Sequence, residues 1–168
     1  PEYVAFAPDG NTAYVADRNP GVQIIDVSNK ASPVLLHTFD TPDLAIDIKI
    51  SSDGSFAYVA DGTTGIHVFD VTAPSNPTLL RSFDTPGKAR GVHLSTSGDV
   101  AFVGDYQSGL QIIDLHERWH QFGSTLSDGT AGFGCGNAVS ADGRTIVVGN
   151  SVEGAGIVRV YQFDGQDW

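Results

Sequence analysis

The chain has 168 residues, 40% of them hydrophobic, which suits a packed core and excludes a disordered segment. Nine basic residues against twenty acidic ones give a net charge of -11, which repels phosphate backbones and anionic lipid, so no nucleic acid is expected as a partner. No run approaches the roughly 18 apolar residues of a membrane helix, so no membrane insertion is expected, and the lone Cys135 excludes an intrachain disulfide or a cysteine metal cluster.

Taken in chain order, the elements repeat with a step of 44 residues. The sequence opens inside a first inner strand, Pro1 aligning with Ala45 of the next repeat, and Pro8-Asp9-Gly10 turns into Ala13-Tyr14-Val15-Ala16-Asp17. Gly21 leads to Ile24-Ile25-Asp26, and Phe39-Asp40-Thr41-Pro42 closes the unit. In the second unit Ile46-Asp47-Ile48-Lys49-Ile50 alternates apolar and polar residues as a strand does, and Ser51-Ser52-Asp53-Gly54 turns the chain. Phe56–Ala60, Ile66–Val71 and Thr78–Phe83 follow as strands two, three and four, with Pro74 and Pro77 in the crossing, where no ladder donor is needed. The third unit repeats Ala101-Phe102-Val103-Gly104-Asp105, Gly109 and Ile112-Ile113-Asp114. In the fourth, Thr145–Gly149 and Gly156–Tyr161 read as strands, and the outer strand is missing.

Short β runs with Gly and Asp turns at this period predict an all-β fold, a β-propeller of four-stranded antiparallel blades. The blades fall at 1–42, 43–86, 87–130 and 131–168, about three and three-quarter blades in all. Blades bury their apolar faces against neighbours, so ring closure is expected to need more polypeptide, in the same chain or in a second one, up to a ring of about eight blades. Tyr14, Tyr58 and Phe102 recur at one strand position and are expected in the core.

Ala57-Tyr58-Val59-Ala60-Asp61-Gly62, Gln23-Ile24-Ile25-Asp26-Val27-Ser28-Asn29 and Leu80-Arg81-Ser82-Phe83-Asp84-Thr85-Pro86 together resemble the LVIVD repeat, over about residues 1–115. That resemblance implies propeller blades of surface or secreted proteins, chiefly microbial, and says little about activity. Phe6–Ala16 is also similar to the YVTN type of blade, which implies surface-layer proteins or lactonase-like enzymes. Residues 119–168, with Gly156-Ile157-Val158-Arg159-Val160-Tyr161-Gln162, resemble FG-GAP blades. Calcium-binding members of that group carry several Asp or Asn residues in the first hairpin turn, whereas Ser140-Ala141-Asp142-Gly143-Arg144 has one; the fold is implied and the calcium is not.

Three features invite chemistry. His116-Glu117-Arg118-Trp119-His120 matches the H-E-x-x-H zinc-protease pattern, but it falls in a strand crossing, and extended backbone would separate the histidines by roughly 13 Å, too far to share a zinc held at about 2 Å. Gly132-Phe133-Gly134-Cys135-Gly136 lacks the spacing and helix of a phosphate loop and reads as a tight connection into the fourth blade. The third is a group on one channel rim: Asp17, Asp61 and Asp105 after strand two, weak candidates for a Ca²⁺ site, and Asp40, Asp43, Asp84, Lys88 and Arg90 from the connections between blades. Asp47, Lys49 and His93 are placed toward the channel or a blade interface. Because Asp17, Asp61 and Asp105 recur with the turn itself, capping of that turn is the favoured role. Asn76-Pro77 disqualifies the one glycosylation sequon, and no G-x-S-x-G elbow or locally supported Ser-His-Asp or Cys-His set is visible.

The expected function is therefore a non-enzymatic interaction or assembly scaffold at the cell surface or outside the cell, with no resident cofactor, that binds a protein partner or associates with itself. The alternatives are a lactonase-like or other hydrolytic propeller with a metal at the rim, and a calcium-stabilised adhesion or carbohydrate-binding module.

Overall fold

The computed structural model describes residues 1–115, 120–121, 133–140, 142, 144–150 and 157–162. The chain divides into two compact units, Pro1–Asp84 and Thr85–Trp168. In the first, β1 (Tyr3–Phe6), β2 (Thr12–Ala16), β3 (Val22–Asp26) and β4 (Val34–Phe39) form one antiparallel sheet in chain order, and β5 (Asp47–Ile50), β6 (Phe56–Ala60), β7 (Ile66–Asp70) and β8 (Thr78–Phe83) form a second. The second unit holds β9 (Gly91–Leu94), β10 (Val100–Gly104), β11 (Leu110–Asp114) and β12 (His120–Gln121) in one sheet, and β13 (Phe133–Val139), β14 (Thr145–Asn150) and β15 (Ile157–Gln162) in another. These are four propeller blades, and the last has three strands among the described residues.

The middle strands β6, β7, β10 and β11 are buried along runs of four residues, on both faces, and that burial decides the packing. In the first unit Tyr14, Ala16, Val22 and Ile24 meet Ala45, Ile48, Ala57, Val59, Phe69 and Val71, and the Phe39 and Phe69 rings stack tilted with centroids 4.2 Å apart. Full burial of a Val, Ile or Phe side chain stabilises by roughly 1.5–3 kcal/mol, so this shared face is what holds each thin sheet to its neighbour. In the second unit Phe102, Leu110 and Ile112 pack with Ile146 and Val148. Tyr14, Tyr58 and Phe102 are all buried.

Serine and aspartate side chains tie the hairpin between strands one and two. In the second blade the Ser51 hydroxyl donates to Asp53 Oδ1 at 2.5 Å and accepts from the Phe56 N–H at 2.9 Å, while the Ser55 N–H donates to the same carboxylate at 3.0 Å. Ser140, Asp142, Arg144 and Thr145 rebuild that turn in the fourth blade.

The glycine run departs from its expected form. Phe133–Val139 is a strand rather than a connecting loop, and its pairing with β14 shifts register between Phe133 and Gly136. Glycine within a strand commonly accompanies such an irregularity, so Gly134 and Gly136 mark a bulged inner strand. Cys135 lies in this strand, its side chain outside the described residues. Of the H-E-x-x-H match, residues 116–119 lie outside the described residues, and His120 opens the short strand β12 opposite Asp114.

Candidate functional site

In the second and third blades the aspartate that follows strand two is a staple for the connection between blades. Asp61 is fully buried, and its Oδ2 accepts from the Asp43 N–H at 2.9 Å and from the Thr64 hydroxyl at 2.6 Å. Asp105, also fully buried, accepts from the Gly87 N–H at 2.8 Å and the Thr85 hydroxyl at 2.7 Å. Asp43 and Gly87 stand at the same place in their repeats, as do Thr41 and Thr85, so the Thr-Pro connection is written into the sequence to meet this carboxylate. Asp43 adds a second staple: its Oδ2 accepts from both the N–H and the hydroxyl of Thr63 at 2.7 Å. The turn closes so tightly that a Cβ on Gly62, whose φ is +56°, would stand 2.5 Å from that oxygen.

The other predicted rim residues divide by surroundings. Asp17 is part-exposed and accepts from the Gln23 amide at 2.8 Å. Asp47 is buried and pairs with Lys49 at 3.3 Å, whose ammonium lies 3.6 Å from the centroid of the Tyr3 ring. Asp40, Asp84, Lys88 and Arg90 are exposed, Arg90 lying over the Tyr106 ring at 4.3 Å, and His93 on β9 is partly buried. Among the described residues no three or more His, Cys, Asp or Glu side chains converge as ligands for one metal ion.

The structure also brings Asp61 together with two residues that sequence reasoning missed, His67 and Ser82. His67, on β7 and 4% exposed, directs Nε2 toward Asp61 Oδ2 at 3.2 Å and Thr64 Oγ1 at 3.0 Å, while its Nδ1 lies 2.7 Å from the Ser82 hydroxyl on β8. Ser82 is exposed on that outer strand. Burial pushes the Asp61 carboxyl up, but bonds from His67, Thr64 and the Asp43 N–H, with the Thr41 hydroxyl close by, hold it below the usual carboxylate range. The Thr41 hydroxyl is turned to the Asp43 carbonyl at 3.4 Å, and Asp61 Oδ1 receives no hydrogen bond.

These bonds fix the tautomer of His67. An ionised carboxylate only accepts, so the single Thr64 hydrogen goes to Asp61 and the Thr64 oxygen is left to accept. Both neighbours of Nε2 are then acceptors, and Nε2 carries the proton. Nδ1 of the neutral ring is a lone pair, and the Ser82 O–H donates to it.

Residues 7–41, 44–85 and 86–118 match the LVIVD repeat. The chain belongs to the LVIVD-repeat family. Among solved structures this LVIVD-repeat chain is similar to a protein of unknown function from Desulfotomaculum acetoxidans, at 24% identity and a TM-score of 0.64, covering 71% of this chain and 41% of that one. It is also similar to a chain of a mitotic checkpoint complex, at 21% identity and a TM-score of 0.74 over 96% of this chain and 46% of that one. The periplasmic gluconolactonase of Pseudomonas aeruginosa matches at 19% identity and a TM-score of 0.68 over 94% of this chain and 55% of that one. At these identities the likeness is one of fold, and the chain spans about half the length of these proteins or less. No curated protein matches the sequence.

Within the LVIVD frame the pairing of His67 and Ser82 with Asp61 had one signal. Position 67 is Gln in the flanking repeats, Gln23 and Gln111, and only the second blade carries His. Departure from the chain's own repeat, not any local motif, marks the place.

Proposed function

We propose that this LVIVD-repeat propeller is an interaction scaffold, working at the cell surface or outside the cell, whose outer strands receive a protein segment in extended conformation. The observation that carries the reading is the outer strand of the first two blades. Val34 and Leu35 on β4 are 54% and 57% exposed, and Leu79 and Leu80 on β8 are 54% and 49% exposed. Each strand is the last of its sheet among the described residues. An edge strand offers unpaired N–H and C=O groups, and apolar side chains beside them supply pockets for alternate residues of an added strand. The net charge of -11 favours a partner segment that carries Lys or Arg. The checkpoint-complex neighbour gives a precedent for a similar chain inside a protein assembly, and the periplasmic neighbour a precedent for export.

Peptides selected from a displayed library against the purified protein test this. The reading expects segments of alternating apolar residues with Lys or Arg that protect β4 and β8 amides from hydrogen exchange and lose binding to the Leu35→Asp/Leu79→Asp double variant. Peptides that protect other segments and bind that variant equally overturn it.

A second reading, a hydrolytic propeller with a metal at the rim, has the gluconolactonase likeness in its favour. Calcium or another divalent ion held by Asp17, Asp61 or Asp105 would have to compete with the hydrogen bonds these carboxylates already accept. Calorimetric titration with Ca²⁺, Mg²⁺ and Zn²⁺ separates the readings, since a metal enzyme, like a calcium-stabilised adhesion module, requires heat of binding and a higher melting temperature.

A further inference from the structure

We propose that Ser82, His67 and Asp61 form a serine acyl-transfer site on the outer strand of the second blade, with carboxylic esters as substrates. This goes beyond the scaffold reading and uses no metal.

Four observations bear on it. With the hydrogen on Nε2, as the Asp61 carboxylate beside it requires, the 2.7 Å contact between Ser82 and His67 has the hydroxyl as donor and the ring nitrogen as acceptor, which is the arrangement a general base needs toward its nucleophile. Asp61, 3.2 Å from the other ring nitrogen, holds the imidazole in that tautomer and faces the positive charge that the ring acquires; it acts as a positioning residue. Ser82 is exposed while His67 and Asp61 are buried, so the nucleophile meets solvent and its base does not. The internal repeats supply the fourth. In the first blade the same places hold Asp17, Gln23 and Thr38, and the Gln23 amide donates to Asp17 at 2.8 Å. Gln111 occupies the position in the third, where its amide donates to the Ser108 carbonyl at 2.8 Å. A hydrogen-bonding side chain at this place is thus already provided by Gln in both flanking blades, part-buried as Gln23 and buried as Gln111, and what His adds is basicity.

The surroundings suit an acyl substrate. Leu79 pairs with Phe69 as Ser82 pairs with His67, and since residues 67 and 69 share one face of β7, Leu79 and Ser82 share the corresponding face of β8. Leu79 is 54% exposed and gives the acyl chain an apolar seat. Beyond β8 no further strand of the sheet lies among the described residues, so alternate backbone N–H groups beside Ser82 face outward and can donate to an oxyanion.

The chemistry balances with water as the second reactant. Ser82 Oγ attacks the ester carbonyl carbon as its proton passes to His67 Nδ1. The tetrahedral centre expels the alkoxide, which takes that proton and leaves as the alcohol. Water then attacks acyl-Ser82 and gives a proton to Nδ1; the bond to Oγ breaks, Oγ recovers the proton, and the carboxylic acid departs.

A fluorophosphonate probe followed by peptide mass spectrometry, together with p-nitrophenyl acetate turnover, tests the site on the whole chain. The expected result is a covalent adduct on Ser82, with adduct and turnover both lost in Ser82→Ala. His67→Gln restores the residue of the neighbouring blades and should keep the circular dichroism spectrum and melting temperature while slowing labelling at least about 100-fold, the usual contribution of a positioned base. An unlabelled Ser82, turnover that survives Ser82→Ala, or a folded His67→Gln protein that labels at the original rate each overturn the proposal.

Discussion

The first and second blades share a strand order, a hairpin tied by an aspartate and a core, yet they fill one position of strand three differently. In the first, Gln23 donates to a part-exposed Asp17 at 2.8 Å. In the second, His67 links a fully buried Asp61 to an exposed Ser82 through bonds of 3.2 and 2.7 Å. The amide can orient but cannot change protonation near neutral pH, whereas the imidazole can. A repeat protein therefore carries its own control: what recurs between blades answers to the fold, and what departs from the repeat invites a separate reason.

The largest effect should come from breaking the buried carboxylate. Asp61→Ala leaves the Asp43 N–H and His67 Nε2 without their carboxylate acceptor in a buried setting, and should cost about 3–5 kcal/mol, with Asp17→Ala costing about 1 kcal/mol at its wetter site. Urea denaturation of both variants checks this, and equal losses would mean that the two blades use the carboxylate alike.

Grafting sharpens the comparison from the other side. The double variant Gln23→His/Thr38→Ser places the second blade's residues on the first, opposite each other in the β3–β4 register. Pro20 stands where Thr64 fixes the tautomer of His67, so fluorophosphonate labelling at position 38 is expected to be detectable and at least about 10-fold slower than at Ser82, a part of the roughly 100-fold or more that a positioned base contributes. Labelling at position 38 as fast as at Ser82 would show that the Thr64 hydroxyl is dispensable.

Acid should separate the blades as well. The Asp61 carboxyl is held below its ordinary range, so its ionised form stabilises the fold at and above that range, and the contribution is lost as pH falls through the lower folded-state value. Asp26, Asp53, Asp70 and Asp142 are lowered in the same direction by turn hydrogen bonds from Ser28, Ser51, Thr72 and Ser140. Melting temperature should be flat from pH 8 to 5 and fall below about pH 4, and the fall should be shallower in Asp61→Asn. An identical acid limb in that variant would assign the effect to the turn aspartates instead.

How much of this the sequence discloses depends on range. The hairpin turns, the strand spans of the second blade and the recurrent aromatics are legible because neighbouring residues set them: Ser51, Asp53 and Ser55 bond within five positions. The β13 strand is illegible in Gly132–Gly136 because glycine signals a turn, and what overrides that signal is pairing with β14, a partner whose register the sequence does not show. Asp61, His67 and Ser82 form no motif either. They meet through the β6–β7 turn and the β7–β8 ladder, and only alignment of the repeats against one another singles out position 67.

The smallest expected effect concerns the connections themselves. Thr85 donates to Asp105 at 2.7 Å and is buried, whereas Thr41, its counterpart 44 residues earlier, is turned to the Asp43 carbonyl at 3.4 Å and leaves Asp61 Oδ1 without a donor. Thr→Val keeps the shape and removes the hydroxyl, so Thr85→Val should cost about 1 kcal/mol and Thr41→Val about half of that or less. A chain whose two connections were equivalent would lose the same from both. If Thr41→Val proves the more costly, its hydroxyl spends its time on Asp61 rather than on the Asp43 carbonyl, and the second blade's carboxylate is then as fully hydrogen-bonded as that of the third.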